Sequence, residues 1–126
     1  MTLPERHDIQ IDQGATFKYW FAVEVDGVVQ NLATLGYTIG RLTIKDHYGD
    51  DSIVVVQLTT ANGGVVISYE TSADGLQNSG YWYMSPAATA ALEDWGDGVH
   101  DFEIDNGSDV IRGLDGTATL NPEAST

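Results

Sequence analysis

With 126 residues and no cysteine, the chain is sized for one domain whose apolar core needs neither a disulfide nor a structural metal. The missing thiol excludes cysteine zinc sites, iron–sulfur clusters and thiol catalysis. Five basic against nineteen acidic residues give a formal net charge of −14, a surface that repels phosphate backbones and anionic lipid, so neither nucleic acid nor a membrane is expected as a partner.

Met1–Arg6 has neither the basic start nor the apolar stretch of a secretory signal, and no apolar run approaches the roughly 18 residues that cross a bilayer. The expectation is a chain made in the cytoplasm, with one β-domain over residues 1–120 and a tail over 121–126. Alternation dominates from the start: Phe17, Tyr19, Phe21, Val23 and Val25 interleave with Lys18, Trp20, Ala22 and Glu24, which predicts a long strand. Asp26-Gly27 between Val25 and Val28 predicts a two-residue hairpin turn, since both central positions of that turn need positive φ.

The next strand is predicted over Tyr37–Ile44, with a bulge at Gly40-Arg41 where the apolar phase changes. Ser52–Thr59 follows, and because Ile53-Val54-Val55-Val56 is apolar on both phases it is expected to be central or covered on both faces. Asn62-Gly63-Gly64 predicts a reversal into a strand at Gly64–Tyr69, and Gly80–Met84 forms another. Ser85-Pro86 then opens a short helix near 86–93, with Ser85 as N-cap, Asp94-Trp95-Gly96 as its stop, and Ala88, Leu92 or Trp95 as its contact with the core. Strands at Val99–Asp105, Asp109–Leu114 and Thr117–Leu120 complete the chain, the first two joined by an Asn106-Gly107 turn. The fold class is therefore all-β, an antiparallel β-sandwich of about 7–9 strands with one short helix.

Catalytic chemistry finds little support. His7, His47 and His100 have no second histidine at metal-ligand spacing, and no Gly-x-Ser-x-Gly places a serine on a strained elbow. Asp101 and Glu103 share a strand face, as any two residues two apart do, so they do not define a glycosidase pair. No enzyme activity and no cofactor are expected. Acidic turns at Asp46–Asp51, Glu93–Asp97 and Asp105–Asp109 gather oxygen ligands of the kind calcium takes, with Asp46, Asp50, Asp51, Asp105 and Asp109 as candidates. The same residues are what turns require, and none of the spacings is that of a twelve-residue calcium loop.

Two aromatic triplets, Tyr19-Trp20-Phe21 and Tyr81-Trp82-Tyr83, remain. If the flanking rings line the core, Trp20 and Trp82 point outward as a sugar-stacking or protein-docking patch; if the faces are reversed, the indoles are core. Trp20, Trp82 and Trp95 are the interface candidates, joined by Ile9 and Ile11; the strand Ile9–Asp12 or the tail after Leu120 is expected to lie along a neighbouring subunit.

The order of features resembles a known family. Ile9-Gln10-Ile11-Asp12-Gln13-Gly14-Ala15-Thr16-Phe17 resembles the opening "I-x-x-G-x-(T/D)-F" of small immunoglobulin-like proteins of tailed-phage virions. Val28–Leu32 resembles that family's "dlsg" loop, Tyr37–Lys45 its "a-x-x-q-I-r" strand, Thr89–Leu92 with Gly98–Ile104 its "ta-l-x-x-G-x-Y-D-l-e" segment, and Val110–Leu120 its closing "v-x-r-l-l-x-G-x-v-x-v". His100 stands where the family usually carries tyrosine. The resemblance implies a non-enzymatic structural component of the virion, of tail, baseplate or fibre-attachment type, packing against copies of itself or other virion proteins. A capsid decoration protein and a carbohydrate-binding module are the alternatives.

Overall fold

The computed structural model describes residues 7–122. Strand makes up 53% of them and helix 7%, so the fold is all-β. A five-stranded mixed sheet runs in the order β1 (Ile9–Asp12), β10 (Val110–Asn121), β9 (Asp97–Asp105), β5 (Ile39–Lys45), β6 (Val54–Thr59). A three-stranded antiparallel sheet runs β2 (Phe17–Phe21), β8 (Gln77–Met84), β7 (Val65–Thr71), and β3 (Glu24–Val25) with β4 (Val28–Val29) forms a separate hairpin. Among the described pairings only β1 with β10 is parallel. No helix of the described residues is long and apolar enough to cross a membrane.

Period-two patterning decides which side chains meet. Gly40, Leu42 and Ile44 of β5, Gly98, His100, Phe102 and Ile104 of β9, and Leu114, Gly116, Ala118 and Leu120 of β10 are all buried on one face of the large sheet. The small sheet answers with Phe17, Phe21, Trp82, Met84 and Val65, and the two sheets share a single core. Phe102 reaches across to Phe21 and Trp82, with ring centroids 4.9 and 5.3 Å apart, at tilted angles that suit the ring quadrupoles.

Turn chemistry explains the connections. Asp26 and Gly27 have φ of 53° and 79°, the paired positive values of a type I′ turn. The long strand expected from Phe17 to Val25 stops at Phe21: the Val23 amide donates to Ser79 Oγ at 3.0 Å, and that hydroxyl donates to the Gln30 carbonyl at 2.8 Å, which diverts the chain into the β3–β4 hairpin. Asn62 Oδ1 accepts from the Thr59 and Gly64 amides, both at 2.9 Å, so the reversal after β6 carries the chain from one sheet to the other. The helix α1 (Pro86–Ala90) is capped by Ser85, whose hydroxyl accepts from the Ala88 amide at 3.2 Å. It is shorter than expected, and its anchor is the buried Thr89, whose hydroxyl donates to the Ala15 carbonyl at 2.7 Å and accepts from the Gly14 amide at 3.1 Å.

Four further expectations are corrected. Gly40 and Arg41 pair in regular register with Ile104 and Glu103; the irregularity lies between Ile44 and Lys45, where Val55 is the extra residue of β6. Gly40 serves close approach instead, since a Cβ there would sit 2.8 Å from Val65. β6 is an edge strand, with Ile53 65% and Val54 50% exposed, because apolar residues on both phases describe β-propensity as well as burial. The two strands expected after residue 109 are one, β10, kinked between Gly113 and Gly116 with Leu114 at φ 52°. Of the expected tail, Asn121 closes β10 and its amide donates to Asp12 Oδ1 at 3.2 Å; residues 123–126 lie outside the described residues.

Because Phe102 packs across the gap against both Phe21 and Trp82, Phe102→Ala should cost about 3–5 kcal/mol of stability. Equilibrium denaturant unfolding measures this loss, and a change under 1 kcal/mol would contradict the described core.

Candidate docking face

The outward face of the small sheet carries the first candidate. Antiparallel register places Lys18 opposite Tyr83, Tyr19 opposite Trp82, and Trp20 opposite Tyr81. Opposed residues share a face, so inward Tyr19 carries Trp82 inward with it. Their rings stack at 5.2 Å, and Trp82 is fully buried. Of the two facings that the alternation leaves open, the second triplet takes the reversed one, with Trp82 in the core and Tyr81 and Tyr83 outward, so Trp82 is no surface anchor; the first triplet keeps Trp20 outward.

Trp20 and Tyr81 meet edge-to-face at 4.9 Å on the outer surface. The Lys18 ammonium lies 4.6 Å from the Trp20 ring centroid and 4.3 Å from that of Tyr81, a cation–π contact with both. Tyr83, 37% exposed, stands beside Lys18 across the strand pair. The sequence named Trp20 but missed Lys18, Tyr81 and Tyr83; the signal that finds them is cross-strand pairing, which a single strand does not contain.

The other interface candidates are not assembled with Trp20. Trp95 packs over Gly98 and donates its indole N–H to the Ala118 carbonyl at 3.0 Å, on the large sheet. Ile9 and Ile11 are buried against their own core, and β1 pairs with its own β10, which corrects the expectation that this strand is spread along a neighbour.

The acidic turns cap their own backbones. Asp46 Oδ1 accepts from the Ile53 amide at 2.9 Å, and His47 bridges Asp46 and Asp51 at 2.8 and 2.9 Å, its pKa raised chiefly by the bond to Asp51. Asp50 lies exposed in the same turn, and Asp109 is exposed at the end of the other. There Asp105 Oδ1 accepts from the Gly107 amide at 2.7 Å, and Asn106 Oδ1 from those of Ser108 and Asp109. Among the described residues no three His, Asp or Glu side chains gather where they could hold a metal ion. A charge network on the large sheet's outer face holds Glu103 between Arg41 at 2.6 Å and Arg112 at 2.9 Å. Partial burial pulls the Glu103 pKa upward, but the two guanidinium groups outweigh it and hold the carboxyl below its ordinary range.

No protein-family model matches the chain. A search of curated proteins likewise finds no match.

Two outcomes follow from this geometry. Trp20→Ala should stay folded within about 1 kcal/mol of the parent, whereas Trp82→Ala should lose about 3–5 kcal/mol, a contrast that denaturant titration of the two variants reads directly. A chelator should leave the melting temperature unchanged; a large fall restored by calcium alone would mean that an ion stabilises the native state by mass action.

Proposed function

We propose that the chain is a non-enzymatic structural subunit of a tailed-phage virion, an immunoglobulin-like β-sandwich of the tail or baseplate that joins or decorates other subunits. The family resemblance along nearly the whole sequence motivates this reading. Strand order agrees with it: taking β2, β5, β6, β7, β8, β9 and β10 as strands B, C, C′, D, E, F and G yields sheets B-E-D and G-F-C-C′, with β1 running parallel to G. Phe21 on B and Phe102 on F then meet where antibody domains carry their inter-sheet disulfide.

The single observation that carries the docking role is the outward cluster Trp20, Tyr81, Tyr83 and Lys18. Each copy carries a charge of −14, so contact between copies must draw on apolar and aromatic area rather than net charge, and this face supplies it. A sugar platform is not favoured, because Lys18 covers the Trp20 and Tyr81 rings and the remaining indoles lie elsewhere.

Quantitative mass spectrometry of gradient-purified particles of the encoding phage is the test. The chain should be present at fixed stoichiometry, reduced by Trp20→Ala, with antibody labelling on the tail rather than the capsid shell. Its absence from particles would overturn the virion reading, and shell labelling would transfer it to capsid decoration.

A further inference from the structure

His100 is the core's one titratable imidazole. It is 3% exposed, on the inward face of β9 and opposite Gly116 of β10. Its Nε2 bonds the His7 carbonyl, which can only accept, so Nε2 carries the hydrogen and Nδ1 is a bare lone pair. That Nδ1 is buried without a hydrogen-bond partner, and so is the indole N–H of Trp82, whose ring meets the imidazole edge-on at 5.5 Å.

The segment that His100 holds leads directly into β1. The His7 amide donates to the Asp115 carbonyl at 2.8 Å, its Nδ1 meets the Tyr19 hydroxyl at 2.7 Å, and Asp8 Oδ1 accepts from the Thr117 amide at 2.9 Å. The fit is close: a Cβ on Gly116 would clash with the His7 carbonyl oxygen. β1 itself is a four-residue strand at the sheet edge, paired only with β10.

We propose that His100 is a latch, holding β1 on β10 while its ring is neutral and releasing it when the ring is protonated. A proton has only Nδ1 to go to, and there it creates a buried N–H and a buried positive charge without an acceptor. Burial is the largest influence and holds the pKa of His100 down; the bond to the His7 carbonyl and the charges of Asp115 and Asp101, which line a cavity with His100, Lys45 and His47, pull it up, and the His7 ring opposes them. Opening the segment over residues 7–12 gives the imidazole to water and restores its ordinary titration near pH 6.5. The sign is therefore fixed: the closed state is favoured above that value, and the open state gains as pH falls below it. The opening equilibrium rises by up to about tenfold per pH unit, the slope of one proton. Release exposes Ile9 and Ile11 and leaves Ala118–Asn121 as an unpaired edge, competent to take another strand. This inference does not rest on the virion reading, and the isolated chain tests it.

Amide hydrogen exchange, corrected for its intrinsic pH dependence, is read at pH 7.5 and 5.5 on the full chain, on His100→Gln and on His47→Gln. Protection at the Ile9, Ile11 and Thr119 amides, which alternation turns into the β1–β10 ladder, should fall several-fold with acid in the parent and in His47→Gln, stay level in His100→Gln, and hold in all three at β5, at β8 and at the Leu120 amide, which is bonded to the Gly96 carbonyl. Equal acid loss in His100→Gln, unchanged β1 protection in the parent, or uniform loss across the chain would each overturn the latch. If His100→Gln does not fold, the imidazole of the parent is followed by NMR: uptake of its proton in step with β1 exchange supports the latch, and uptake with β1 still protected overturns it.

Discussion

Everything else in the molecule depends on aromatic contact across the gap between the two sheets. The chain has no cysteine, so the layers are held by Phe102 wedged against Phe21 and Trp82, with Tyr19 stacked behind the indole. Rings of this size remove large apolar areas from water at little rotamer cost, and their tilted packing adds a directional component that aliphatic residues lack. Once they meet, the register of β2 on β8 and of β9 on β5 is no longer free to slip, because a shift of one residue would turn each ring to solvent.

Charge is distributed around that core in a way that constrains association. Of the described cations, Arg41 and Arg112 pair with Glu103 and Lys18 lies over two aromatic rings, while Lys45 is half-buried at the end of β5. Part of the acidic excess lies in turns, where Asp46, Asp74 and Asp105 cap their own backbones. Salt, by shortening the Debye length, lowers the repulsion between copies.

The least satisfied part of the interior is also its most informative. Two polar nitrogens, on Trp82 and His100, are buried without partners in a core otherwise built from apolar side chains, and both belong to the cluster that supports the entry of β1. Such groups cost stability and persist where they set an orientation or a condition for folding. Here the imidazole fixes the one parallel pairing among the described strands through a backbone carbonyl, so the four-residue β1 is held by a titratable side chain.

The sequence by itself determined the local events: strands from two-residue alternation, the Asp26-Gly27 and Asn106-Gly107 turns, and the Ser85 cap. Each depends on residues within a few positions of one another, where backbone sterics and side-chain period suffice. The tertiary structure decided what alternation leaves degenerate. Period two says that Trp82 faces opposite Tyr81 and Tyr83 but not which side is core; Tyr19, 63 positions earlier, settles it through register. It likewise placed Ile53 and Val54 at an open edge, joined two expected strands into β10, and drew β1 onto its own chain, because neighbours in a sheet are fixed by long-range pairing that no local window contains.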